Sequence, residues 1–176
     1  MSKDKKTVGQ ELEKELTYKK RNFFEVADDE KIKKAYDYAE KYKKFIDESK
    51  TEREAVRTSA KLCEAKGYKE YRFGDKLEKG GKYYVTRNGS AVIAFNVGGT
   101  DSFNIVASHA DSPCFKIKGS PEMKIENYVK LNVERYGGGI FYSWFDTPLT
   151  IAGRVIIEQD NRLIARVFTS DHKFVI

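Results

Sequence analysis

The chain has 176 residues, of which 40% are hydrophobic and 34% charged, a composition typical of a soluble globular protein. The net charge is +6 and the pI about 9.1, but lysines alternate with glutamates in the first half, which favours a solvated helix surface over nucleic-acid binding. With no membrane-length apolar run, no signal peptide and two cysteines in unrelated contexts, we expect a reduced, cytoplasmic protein that binds neither nucleic acid nor membrane.

The first third of the chain predicts helices. Leu12 and Leu16 favour a short amphipathic helix that is followed by aromatic residues. Asp28 or Asp29 caps a second helix over 28–48, in which apolar residues recur at three- and four-residue intervals. This spacing is more typical of a core-facing stripe than of an aromatic pocket.

A third helix is predicted over 51–66. Thr51 and Glu54 have the spacing of a capping box, and Gly67 is well placed to end the helix in the left-handed conformation. Cys63 falls on the apolar face of this helix, so we interpret it as a core residue rather than a nucleophile.

The period then changes from helix to strand. Residues 71–82 predict a glycine-punctuated loop, and strands over 83–86 and 91–95 flank an Asn-Gly pair at 88–89, which is a strong hairpin pattern. Gly98, Gly99 and Thr100 are not followed by the Lys-Ser/Thr pair or the helix start of a phosphate-binding loop, so they predict a tight turn.

A buried strand is predicted over 103–108, ending at His109 and Asp111. The carboxyl end of such a strand is where open α/β sheets place ligand-binding groups. His109 therefore has a metal-binding interpretation, with Asp111 orienting its ring. The alternative is a structural histidine in the turn before Pro113, and the bare His-x-Asp spacing leaves both open.

The second half of the chain is β-rich. Apolar and polar residues alternate over 125–134, as on a half-solvated antiparallel strand that glycines 137–139 then break. The aromatic run at 140–145 favours the interior of a barrel or sandwich over a base-stacking platform. A further hairpin is predicted from strands over 149–157 and 163–168.

Several motifs occur together in a fixed order. They are SHADSPC at 108–114, YGGG at 136–139, WFD at 144–146, and Leu149 followed by AGRV at 152–155. In this order they resemble the M18 family of metalloaminopeptidases, the aspartyl aminopeptidase group, over most of the chain. One departure is Ala110, where the family commonly has threonine.

The resemblance implies an α/β fold in two parts. Residues 1–111 would form the first part of an αβα-sandwich zinc peptidase domain, and residues 112–176 the start of an inserted, β-rich dimerisation domain that is incomplete here. His109 matches the family's first metal ligand. Asp111 matches the catalytic acidic residue that orients it.

The resemblance also implies a function. The complete enzyme would hold two Zn²⁺ ions, remove amino-terminal residues, Asp or Glu favoured, from peptide substrates, and assemble as a homo-oligomer. The family's remaining ligands and catalytic glutamate lie downstream of this chain, and His172 matches no motif. We therefore expect the 176-residue chain to be inactive by itself, the alternative function being a non-catalytic fragment or an oligomer-assembly module.

Overall fold

The computed structural model of the protein describes residues 7–99 and 102–176. The chain divides into two compact units, the first ending at Tyr42 and the second beginning at Lys43. The helices are α1 (Val8–Leu16), α2 (Phe23–Val26), α3 (Asp29–Asp47) and α4 (Glu52–Ala65), with a 3-10 turn at Phe141–Trp144. The strands are β1 (Lys69–Glu70), β2 (Lys82–Arg87), β3 (Ala91–Asn96), β4 (Cys114–Ile125), β5 (Tyr128–Tyr136), β6 (Ala152–Gln159) and β7 (Arg162–Thr169).

The first unit holds α1, α2 and most of α3. Asp28 is the residue that caps α3, because its carboxylate accepts a hydrogen bond from the Lys31 N–H at 2.8 Å. The predicted helix over 28–48 is thus confirmed. Its apolar stripe is not buried, since no residue of α1, α2 or α3 is buried. The Tyr36 ring lies tilted against Phe24 at a centroid distance of 6.3 Å and remains exposed. The interpretation of this stripe as core is wrong for this chain.

Helix α4 begins and ends where the sequence predicts. The Thr51 hydroxyl accepts from the Glu54 N–H, and the Glu54 carboxylate accepts from the Thr51 N–H, which completes the capping box. At the other end Gly67 has φ +80°, and the N–H groups of Gly67 and Tyr68 donate to the carbonyls of Glu64 and Cys63. These two bonds form a Schellman ending.

The core of the second unit lies between α4 and the sheet formed by β1, β2 and β3. Strand β1 is parallel to β2, and β2 is antiparallel to β3 through a turn in which Asn88 and Gly89 have positive φ. Helix α4 lies against β2 and β3, and Arg53 donates to the Asn88 carbonyl at 2.8 Å. The most buried apolar side chains come from the helix and from β2: Ala55, Val56, Tyr83 and Tyr84.

Two antiparallel hairpins make up most of the second half of the chain. The predicted single strand over 125–134 is instead the end of β4, a turn at Glu126 with φ +53°, and β5. Sequence pattern missed this turn because glutamate rarely adopts positive φ. The second predicted hairpin is confirmed as β6 and β7, joined by Asp160 and Asn161 with positive φ.

The aromatic run is divided between packing and solvent. Phe141 and Trp144 pack with Phe115 of β4 at ring-centroid distances of 4.7 and 5.6 Å, whereas Tyr142 and Phe145 are exposed. Phe115, Phe141 and Trp144 are half-buried and form a small aromatic cluster, and the described sheets form no barrel or sandwich around them, so the predicted interior is not seen in this chain. Among the described residues, no helix is long and apolar enough to span a membrane.

The buried strand predicted over 103–108 is wrong for this chain. Residues 102–113 form no strand, and the side chains of Phe103, Ile105 and Val106 are 87%, 83% and 101% exposed. A strand exists through its ladder of hydrogen bonds, and none of the described strands pairs with this segment. Thr100, in the predicted tight turn at 98–100, lies outside the described residues. The domain boundary after Asp111 stays a prediction.

Candidate functional site

His109 and Asp111 are brought together by local hydrogen bonds. The ring Nδ1 of His109 lies 2.8 Å from the backbone carbonyl of Asp111 and 3.1 Å from its carboxylate Oδ1. Both oxygens are acceptors, so Nδ1 has to carry the proton in each contact. In the neutral imidazole the lone pair is then on Nε2, which is the form that binds a metal ion.

Tyr136 completes a chain of three side chains. Its hydroxyl donates to Asp111 Oδ2 at 2.5 Å, so that both carboxylate oxygens are engaged, one by the phenol and one by the imidazole. The phenol ring is itself covered by Lys116, whose ammonium lies 3.7 Å from the ring centroid. The carboxylate is thus held from two sides.

The pairing of β4 with β5 puts Tyr136 in this position. Cys114 and Tyr136 are directly opposite in the antiparallel ladder, and Cys114 follows Pro113 at the end of the segment that carries His109. Gly137 has φ +78°, and a Cβ there would lie 3.2 Å from the Pro113 Cα. Only glycine allows the chain after Tyr136 to turn so close to Pro113. Gly137 and Gly139 of the YGGG motif therefore allow the two segments to approach closely, since a Cβ at either position would meet Pro113.

Hydrogen bonding changes the acidity of both partners. The bond from Tyr136 is the largest cause that lowers the pKa of Asp111 below its ordinary value, and the contact with His109 adds to it. The same bond raises the pKa of the Tyr136 phenol. The side chains of His109 and Asp111 are 79% and 42% exposed, so the site is open to solvent. Asp111 is therefore an ionised acceptor at neutral pH.

The three side chains line a cleft of about 380 Å³. Its remaining walls come from the turns on either side: Ser112, Pro113, Gly137 and Gly138. A second cleft of similar volume lies around the loop before β2 and is lined by lysines, glycines, Glu78 and Tyr83, without a histidine or an aspartate. The first cleft is therefore the one with metal-binding chemistry.

The donor set fits part of a zinc site. An imidazole whose second ring nitrogen donates to a carboxylate is a common zinc ligand. In the described part of the chain, however, no three or more His, Cys, Asp and Glu side chains gather into a group that could hold a metal ion. His172 does not line the cleft, and burial raises the thiol pKa of Cys63 and Cys114, which keeps both protonated.

Sequence analysis had found His109 and Asp111 but gave Tyr136 no role. Tyr136 is 25 residues away from Asp111 along the chain, and only the register of β4 on β5 shows that they meet. The one local signal that could have identified Tyr136 is its place at the end of a strand, immediately before three glycines. Lys116 was missed for the same reason.

Comparison with known proteins places the chain in a family. A family model described as aminopeptidase I zinc metalloprotease (M18) matches residues 45–175. A probable M18 family aminopeptidase 2 of Clostridium novyi is 43% identical over 139 residues, which are 75% of this chain and 32% of that protein. The chain spans about a third of the length of the curated relatives it matches.

Solved structures of aminopeptidases also resemble this chain. Aminopeptidase I from Borrelia burgdorferi superposes with a TM-score of 0.74 at 25% identity, covering 88% of this chain and 39% of that one. The S. cerevisiae mApe1 dodecamer superposes with a TM-score of 0.64 at 27% identity, covering 77% and 34%. The predicted fold class, part of an α/β peptidase domain followed by β-rich structure, is confirmed by these likenesses. The chain belongs to the M18 family of zinc metalloproteases.

Proposed function

We propose that this chain is the amino-terminal portion of a zinc-dependent aminopeptidase. The complete protein removes amino-terminal residues from peptides, with Asp or Glu favoured, and holds two zinc ions per active site. The observation that carries the proposal is the His109 ring, whose Nδ1 is fixed by Asp111 while Nε2 is left for a ligand beside an open cleft. Membership of the M18 family supports the class of reaction.

The residues of this chain have separate tasks in the proposal. His109 binds one of the metal ions through Nε2, and Asp111 holds the ring in the tautomer that leaves Nε2 unprotonated. When bound, zinc polarises a water and the scissile carbonyl. The remaining ligands and the proton-transferring glutamate belong to the part of the family's length that this chain does not span.

The first test removes the imidazole. In the complete protein that contains this chain, we expect His109→Ala to lose zinc at one site and to cut hydrolysis of an aspartyl peptide substrate by more than about 100-fold, the upper end of the cost of losing an outer partner. Bound zinc by elemental analysis and initial rates measure this. His172→Ala, at the other histidine of the chain, is the matched control and should keep both. Full activity in His109→Ala would overturn the assignment of the site.

A non-catalytic role is the second candidate, because the cleft holds one imidazole, that of His109, and no metal-binding group of three or more His, Cys, Asp and Glu side chains is found among the described residues. As an assembly module, the chain would contribute strand edges and the exposed apolar residues of β6 and β7, such as Ile156 and Leu163. Zinc content and aminopeptidase turnover of the complete protein separate the two, because the enzyme requires both and the assembly module requires neither. Under the first proposal the 176-residue chain alone binds zinc no more tightly than an exposed imidazole.

Homo-oligomeric assembly is proposed for both candidates. The solved S. cerevisiae relative is a dodecamer. Closed symmetric assembly is a common way to cover strand edges. Sedimentation of the complete protein as a monomer at micromolar concentration would contradict it.

A further inference from the structure

We propose that Tyr136 is a positioning residue: its hydroxyl fixes the Asp111 carboxylate and thereby the orientation and tautomer of the His109 imidazole. The inference rests on the proposed function for its effect on metal binding. The contact between Tyr136 and Asp111 is a feature of the chain itself. Its consequences for the ring of His109 are therefore measurable without metal.

The carboxylate needs a second partner. An aspartate carboxylate rotates about χ2 in a broad well, so one contact to His109 leaves it free to swing away or to exchange its two oxygens. Tyr136 occupies Oδ2 while the imidazole occupies Oδ1. With both oxygens engaged, the rotation that would take Oδ1 away from Nδ1, and leave Nδ1 only its 2.8 Å contact with the Asp111 backbone carbonyl, requires breaking a charge-assisted hydrogen bond.

Tyr136 lies on a paired strand, whereas the segment that bears His109 forms no regular structure. Residues 102–113 have no ladder of their own, but Tyr136 ends β5 and is paired with Cys114. Its ring is held by the Lys116 ammonium. A side chain on a strand therefore sets the geometry of a site on a loop, which is how precise sites are usually supported.

A structural role alone would give a different result from a positioning role. If Tyr136 only packed between β4 and the Pro113 turn, phenylalanine would replace it without consequence for His109. If it acts through Asp111, removing the hydroxyl affects His109 only while the carboxylate is present. The coupling between the two substitutions is then the diagnostic quantity.

The first measurement uses the metal-free 176-residue chain. Nitrogen-15 NMR of the His109 ring should show Nδ1 protonated in the unmodified chain. In Tyr136→Phe the ring shifts should move toward those of a mixed tautomer, and in the Asp111→Asn background the same substitution should add nothing. Tyr128→Phe, an exposed tyrosine on the same strand, is the matched control and should leave the ring unchanged.

The second measurement uses zinc and the complete protein. Chelator competition should give weaker zinc binding for Tyr136→Phe, by less than the about 10- to 100-fold that losing the direct partner Asp111 would cost, and no change for Tyr128→Phe. Ring shifts and zinc affinity in Tyr136→Phe that equal those of Tyr128→Phe would overturn the inference. If His109→Ala keeps full zinc affinity, the proposed function fails instead, and the ring shifts of the metal-free chain still decide the role of Tyr136.

Discussion

Two regions of the second unit carry apolar residues that end in opposite environments. In α4 and β2 the side chains of Ala55, Val56, Tyr83 and Tyr84 are buried, with Val56 3% exposed, whereas Val106 in the segment 102–113 is fully exposed. The helix has its caps within its own sequence, and β2 meets β3 across a short turn. None of the described strands pairs with the segment 102–113. What differs is whether the described part of the chain supplies each region with backbone hydrogen-bond partners nearby.

The candidate site joins these two kinds of region. His109 and Asp111 lie on the irregular segment, but Tyr136 at the end of β5 holds Asp111, and the turn at Gly137 packs on Pro113. The site is therefore ordered by one strand end rather than by a surrounding sheet. This explains how a defined His–Asp contact persists in an exposed segment.

The largest difference in the free energy of unfolding is expected between the same substitution at a buried valine and at an exposed one. Val56→Ala removes two methyl groups from the face of α4 that lies against the sheet and should lower the free energy of unfolding by about 2 kcal/mol, because the lost burial and the cavity act together. Val106→Ala in the same 176-residue chain should change it by less than about 0.5 kcal/mol.

Urea titrations at equal protein concentration measure both values, since the midpoint shifts with stability at constant slope. The pair is matched, because the substitution is the same and only the environment differs. Equal losses at the two positions would show that residues 102–113 are packed in solution and that the comparison is wrong.

A smaller loss of stability is expected from removing a hydrogen bond inside the buried region. Tyr84 is 5% exposed and donates to the Glu64 carboxylate at 2.6 Å, which raises the pKa of this phenol to about 12. Tyr84→Phe should cost about 1 kcal/mol at neutral pH. Because the folded pKa lies above the ordinary value of 10, this contribution is complete below pH 10 and is lost as the pH rises toward 12.

Phenolate absorbance against pH, taken as the difference between the unmodified chain and Tyr84→Phe, isolates this group. The difference should report one phenol with a pKa near 12. Tyr142→Phe, an exposed tyrosine, supplies the reference for removing a phenol from the surface. A stability cost for Tyr84→Phe that persists undiminished at pH 12 would contradict the role of the hydrogen bond.

Much of the fold was predictable because its determinants are short-range. The capping box of Thr51 and Glu54, the ending at Gly67 and the Asn88 turn all act within a few residues, and each was identified from sequence. The turn at Glu126 was not, because its residue is one that seldom adopts positive φ. Local propensity therefore gave most elements and most boundaries.

The site was predictable only in part. The neighbours His109 and Asp111 stand two residues apart and were identified, with their roles implied by resemblance. Tyr136 enters the site through the register of a hairpin, which periodicity does not specify, and the strand over 103–108 needs a neighbour that the described residues do not supply. Long-range pairing is the information that local pattern lacks.

The smallest effect is expected for the pKa of Asp111, the residue of segment 102–113 that Tyr136 at the end of β5 contacts. In the metal-free chain the pKa of Asp111 lies below 3.8, chiefly because Tyr136 donates to its carboxylate. Because the folded pKa is lowered, any stabilisation is complete above 3.8 and is lost as the pH falls through the folded value. The side chain is well exposed, so the unfolding midpoint should hardly move, and carboxyl carbon-13 shifts are the sensitive probe.

We expect the titration midpoint of Asp111 to rise toward 3.8 in Tyr136→Phe and to stay low in Tyr128→Phe. A midpoint at or above 3.8 in the unmodified chain would mean that Tyr136, at the end of β5, does not hold this carboxylate in solution, and the site would then lack its contact with the hairpin.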